Sequence, residues 1–112
     1  MSLSLVFVCL AATAVDGDTL RCQDAFPEVN GRVRLARIDA PERGAAGYHE
    51  ATKALAAMIE GQEVRCRIVD ADPRRKGFQH RDRFDRPVAR CAVAGRDLGE
   101  AMVASKIAKR WP

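Results

Sequence analysis

The sequence predicts a mainly β domain with two helices, built as a small barrel of five short strands in the order β-β-β-α-β-β-α. Three observations carry that expectation. Apolar runs punctuated by glycine, proline and aspartate turns fill the first third of the chain. Helical spacing of apolar residues appears only twice, once in the middle and once near the C-terminus. The 112 residues are 47% hydrophobic and 30% charged, a balance that suits one folded domain over residues 1–112 with a core of its own and excludes a disordered tail.

Taken in order, Leu3 to Val15 is apolar throughout and reads as strand one, centred on Val6 to Val15. The run is shorter than the roughly 20 residues a membrane helix needs, so no membrane partner is expected. Ala12-Thr13-Ala14 has the form of a leader cleavage site, but no Lys or Arg precedes the apolar stretch, and a cut there would remove the strand. The compartment is therefore left open. Asp16-Gly17-Asp18 is an acidic glycine turn of the kind that closes hairpins. Thr19 to Cys22 forms strand two. Pro27 and Asn30-Gly31 mark a second turn, and Arg32 to Asp39 completes a three-strand meander, with Val33 and Leu35 facing away from Arg34.

Ala51, Leu55, Met58 and Ile59 share one face of a helix over Tyr48 to Glu60, which Gly61 stops. Val64 to Val69 and Pro87 to Val93 are strands four and five. Asp97 caps a second helix, with Glu100 at capping-box spacing and Leu98, Ala101, Met102 and Ser105 on its inner face. Five strands interrupted by a helix after the third suggest the OB-like way of closing a small barrel.

Cys9, Cys22, Cys66 and Cys91 each sit in an apolar, strand-like run. The leading expectation is four buried free thiols acting as small hydrophobes. Pairs such as Cys9–Cys22 or Cys66–Cys91 are the alternative in an oxidising compartment. No CxxC pair is present, which excludes the common structural zinc patterns.

The net charge is +4, from 19 Lys+Arg against 15 Asp+Glu, and 15 of the basic residues are Arg. Arginine is the planar, bidentate partner of phosphate, so anionic ligands and nucleic acid come first among partners. The acids are placed with equal point. Asp16 and Asp18 lie in the first turn, and Asp39 and Glu42 just after the third strand. Carboxylates with a turn carbonyl make the all-oxygen donor set preferred by hard cations. Arginines beside such a set make sense where an anion joins the metal, as in metal-assisted phosphate-ester chemistry.

Val15-Asp16-Gly17-Asp18-Thr19-Leu20, Val33-Arg34-Leu35-Ala36-Arg37-Ile38-Asp39-Ala40-Pro41-Glu42 and Asp82-Arg83-Phe84-Asp85-Arg86 together resemble the staphylococcal nuclease (thermonuclease) family, from about Val8 to Ala108. The resemblance implies a calcium-dependent nuclease that hydrolyses phosphodiesters of single-stranded or locally melted DNA, with RNA as a further substrate, acting as a monomer. By the same resemblance, Asp18, Asp39 and the carbonyl of Ala40 hold a single Ca2+ ion, with Asp16 behind them. Glu42 orients or deprotonates the attacking water, and Arg34 and Arg86 clamp the scissile phosphate. Arg83 and Phe84 contact the substrate.

Three features depart from the family pattern. Phe84 stands where the family often has Tyr. Asp85 replaces a glycine and sets a carboxylate beside Arg86, which keeps open the alternative of a catalytically weak or inactive nucleic-acid-binding module. Lys106 stands where a glycine often ends the second helix, so that helix is expected to run on toward Trp111, and the family's third helix is expected to be absent. Finally, Arg74, Arg75, Lys76, Arg81, Arg83, Arg86 and Arg90, interleaved with Phe78, His80 and Phe84, form a basic stretch expected to track a strand's phosphates. Neutralising about four phosphates predicts a log–log salt slope near −3 for single-stranded substrate, read from binding isotherms across a salt series.

Overall fold

The computed structural model describes residues 5–111; Leu3 and Ser4 of the expected first strand, and Pro112, lie outside them. The described chain is a mixed α/β fold of nine short strands in two sheets with two helices. Its larger sheet runs β1(Val6–Cys9), β6(Val64–Ile68), β7(Val88–Val93), β4(Arg32–Leu35), β3(Thr19–Arg21), β2(Thr13–Asp16), with β8(Arg96–Asp97) added to β7. A two-stranded sheet pairs β5(Ile38–Asp39) with β9(Lys109–Arg110). The expected meander is present as β2–β3–β4, all antiparallel, and β4 then pairs with β7 in parallel.

The expected closed barrel is not formed among the described residues. The hydrogen-bonded path begins at β1 and ends at β2 with no ladder between them. Those two edges are nevertheless consecutive in sequence. The single long first strand expected from Val6 to Val15 is broken at Leu10 to Ala12, where the chain leaves β6 and joins β3. Periodicity could not show this, because an apolar run reads the same whether it stays with one partner or changes to another. Arg32 to Asp39 divides likewise, at Ala36-Arg37, and Arg37 takes a left-handed φ of 70° to make that turn.

Helix α1(Tyr48–Ile59) lays Ala51, Leu55 and Ile59 on the core. Helix α2(Leu98–Ala104) is capped as expected, the Asp97 carboxylate accepting from the Glu100 N–H at 2.9 Å. It does not run on toward Trp111. Lys106 adopts φ 60°, the left-handed conformation that ends helices, so a lysine fills a glycine's role there and Ser105 is exposed instead of inward. The core joins Leu20, Val33, Leu35 and Ile38 from the strands to Leu55, Ile59, Leu98 and Met102 from the helices.

The four cysteines are not free thiols. Cys9 is bonded to Cys22 and Cys66 to Cys91, both pairs within the core. The second pair joins residues directly opposite in the β6–β7 ladder. Apolar neighbours predicted burial correctly, but burial does not distinguish a thiol from half a disulfide. Closing loops over sequence separations of 13 and 25 residues contributes on the order of 3 kcal/mol each by restricting the unfolded chain. Intact mass under non-reducing conditions should therefore show no alkylatable thiol, and reduction should lower the melting temperature sharply.

Gly17 is required by packing and not by backbone angle. A Cβ built there would lie 2.6 Å from the Ala51 Cβ and 2.8 Å from the Ala40 Cβ, so the first turn presses directly on α1. Gly17→Ala should cost about 1–3 kcal/mol in denaturant unfolding, the usual range for overpacking.

Candidate functional site

The β2–β3 turn, the end of β4, the end of β5 and the loop before β7 converge on one cleft of about 590 Å³. Asp16, Asp18, Arg34, Asp39, Ala40, Glu42, Arg83, Phe84 and Arg86, nine residues from three separate segments, all line it.

Asp18 is the fixed point. It is 9% exposed, and its Oδ2 accepts from the backbone N–H of Ala40 at 2.9 Å. Its own carbonyl accepts from Leu35 N–H at 2.8 Å, and its N–H donates to Asp16 Oδ1 at 3.1 Å. Asp16 therefore supports Asp18 from behind. Asp39, by contrast, is open to solvent. Arg34 joins the two acids, with Nη2 3.4 Å from Asp18 Oδ2 and 3.8 Å from Asp39 Oδ1, while its Nη1 donates to the Leu35 carbonyl at 2.7 Å. Burial raises the Asp18 pKa from 3.8 to about 6; Arg34 and the Ala40 N–H oppose that shift, and Asp16 adds to it.

Arg86 approaches from the other side. Its Nη1 donates to Thr19 Oγ1 at 3.3 Å, and that hydroxyl donates to Asp18 Oδ1 at 3.3 Å. The expected conflict between Arg86 and Asp85 does not arise. Asp85 has φ 62°, as its glycine-like position requires, but its exposed carboxylate lies toward Arg81, 3.9 Å away. The carboxylate on Arg86 is Asp82, whose Oδ2 lies 2.9 Å from both Nε and Nη2. Asp82 Oδ1 meanwhile accepts from the N–H groups of Phe84 and Arg86, closing the loop. Asp82 and Thr19 are the two site residues the sequence reading missed. An aspartate opening a tight turn is a recognisable signal for such self-capping; nothing in the sequence marks Thr19.

Phe84 is exposed between two guanidiniums, with Arg83 4.7 Å and Arg86 5.1 Å from its ring centroid. Glu42 is exposed on the loop after β5, and among the described residues its side chain has no hydrogen-bond or ion-pair partner. Of the basic stretch, Arg74, Arg75 and Arg81 line the cleft. Two of these are restrained, Arg74 by Asp72 at 3.0 Å and Arg81 by Glu28 at 2.8 Å. Arg90 does not belong with them: it lies on β7 and lines a different cleft.

As a cation site, the cleft offers oxygen donors only. Among the described residues no three His, Cys, Asp or Glu side chains converge as a metal cage. Two carboxylates that already share one guanidinium as counter-charge, with the remaining coordination open, fit a hard cation that also takes water and phosphate oxygens. Among the described residues no helix is long and apolar enough to cross a membrane. Comparison with models of known protein families, and with curated proteins, returns no match.

The Asp18 carboxyl holds its proton to a higher pH folded than unfolded, so its contribution to stability is full below about pH 4 and is lost as pH rises through 6. The loss is on the order of 3 kcal/mol. Asp18→Asn should accordingly raise the melting temperature of the metal-free protein at pH 7.5 and flatten its decline between pH 4 and pH 7.

Proposed function

We propose that this domain is a calcium-dependent nuclease that hydrolyses phosphodiester bonds of single-stranded or locally melted DNA, with RNA as a further substrate. The observation that carries the reading is the convergence of Asp18, Asp39, Glu42, Arg34 and Arg86 on one cleft, although they come from three separate segments. The resemblance of its motifs to the thermonuclease family points the same way.

On this reading Asp18, Asp39 and the Ala40 carbonyl hold one Ca2+ ion, which supplies Lewis-acid polarisation of the scissile phosphate. The protein's own groups do the rest. Arg34 and Arg86 flank the place where phosphate enters and can meet its oxygens as paired donors. Arg34 is already aimed at that place, since both acids hold it there and the Leu35 carbonyl fixes its other nitrogen. Glu42, exposed and unbonded, is free to accept a proton from water approaching in line with the leaving oxygen. Thr19 couples the two sides, so Asp18 and Arg86 keep their separation when either is loaded. Phe84 offers a face for a base next to the phosphate.

A second reading has its own observation in support. Asp82 occupies two nitrogens of Arg86, which favours a nucleic-acid-binding module of low or absent activity. Incubation with single-stranded DNA separates the two. The nuclease reading expects cleavage that requires Ca2+, stops on chelation, and falls by about 100-fold or more in Glu42→Gln and in Arg86→Ala. Salt-dependent binding with no cleavage under any of these conditions would replace it with the binding module.

A further inference from the structure

A second cleft, of about 360 Å³, adjoins the first and is lined, among the described residues, by Arg37, Arg90, Arg110 and Trp111. Arg37 and Trp111 line both clefts, so the two meet there, and the Trp111 N–H donates to the Arg37 carbonyl at 2.7 Å to fix the junction. Three guanidiniums around so small a space repel one another. Among the described residues the only carboxylate in ion-pair contact with them is Glu100, which Arg110 holds at 2.7 and 3.0 Å and whose charge Arg90 also favours through space. Arg37 and Arg90 have no ion pair among the described residues. The repulsion continues outward, because Arg67 stands directly opposite Arg90 in the β6–β7 ladder, where like charges are unfavourable. Arg37 adds a cost of its own, holding a left-handed backbone that a β4–β5 turn could give to glycine.

One carboxylate offsets only part of this charge, and a polyanion would offset the rest. We infer that the cleft lined by Arg37, Arg90, Arg110 and Trp111 binds the phosphates of a single-stranded nucleic acid as it leaves the first cleft past Trp111. A strand suits the arrangement better than a compact anion does, since positive charge continues from one cleft to the other, with the Arg74 guanidinium 4.6 Å from the Trp111 ring centroid at the junction.

The inference rests on the nucleic-acid partner of the proposed function but not on hydrolysis, and one set of measurements separates the two. Labelled oligodeoxynucleotides of about 4 and about 16 nucleotides, the limits of a typical single-strand site, are titrated in Ca2+ across a salt series. The variant is Arg90→Gln with Arg110→Gln, neither of which lines the first cleft. Affinity for the longer strand should fall about tenfold, with the salt slope reduced by about 1.4 for two lost phosphate contacts. Affinity and cleavage for the shorter strand should be unchanged. Arg90→Lys with Arg110→Lys should recover the slope, and neither variant should unfold at a lower temperature than the parent. An equal loss on both lengths, or no loss on either, overturns the track. So does variant-sensitive binding of polyglutamate as tight as that of DNA, which would make the cleft a site for acidic protein. A parent that binds the longer strand in the expected way yet cleaves nothing overturns the hydrolysis and leaves the track standing.

Discussion

The carboxylate of Asp18 is where the fold and the site become one object. Its Oδ2 receives the N–H of Ala40, 22 residues further on, and its backbone carbonyl receives that of Leu35. These bonds tie the first turn to the end of β5 and to β4. A charged group this deeply buried is tolerated only when its partners are in place, so within the fold the ionised Asp18 depends on the three segments staying together. Gly17 enforces the same meeting from below, since only the absence of a Cβ lets the turn reach Ala40 and Ala51. The acid raised by burial is thus kept in check by Arg34, and Arg34 is placed by the strand whose edge it decorates.

From Asp18 the charges alternate outward in both directions: Arg34 and Asp39 on one side, Thr19, Arg86 and Asp82 on the other. Every guanidinium in this row is already held by a carboxylate. On the proposed reading, an arriving phosphate would exchange one anionic partner for another instead of binding a bare cation. The ion pairs keep the arginines oriented beforehand, and orientation held in advance is the form in which electrostatic stabilisation is most effective. The same reading makes Asp82 a competitor for Arg86.

The legible part of this molecule was the part written in local pattern. Helix α1, the Asp97 cap, the β2–β3–β4 meander and strands β6 and β7 follow from periodicity and turn residues within a few positions of where they stand. The nine candidate residues were singled out through motif resemblance, and each lines the same cleft. What local pattern missed depended on partners distant in sequence. The break at Leu10 to Ala12 reflects a change of neighbouring strand, and the open ladder reflects pairing that never closes. The disulfides depend on which buried cysteines fold face to face. Asp85 was suspected of holding Arg86 because it is adjacent in sequence, whereas successive residues in a turn point apart and the carboxylate four positions back reaches the guanidinium. Lys106 ending α2 shows the same limit from the other side: a non-glycine residue accepts φ 60° when the fold leaves it no alternative.

The Cys66–Cys91 bond gains its meaning from its neighbours. In the β6–β7 ladder that pair is followed directly by Arg67 opposite Arg90, so a covalent tie on the inner face sits one step from a like-charge pair on the outer face. Side chains alternate along a strand, which lets the two faces obey different demands. The inner face holds the strands together, and the outer face can then carry a charge pattern that would otherwise loosen them. A sheet selected for stability alone would place opposite charges, or β-branched residues, where these arginines stand. The crosslink leaves the outer surface free to carry like charges side by side, and the nucleic-acid track inferred above would use that freedom.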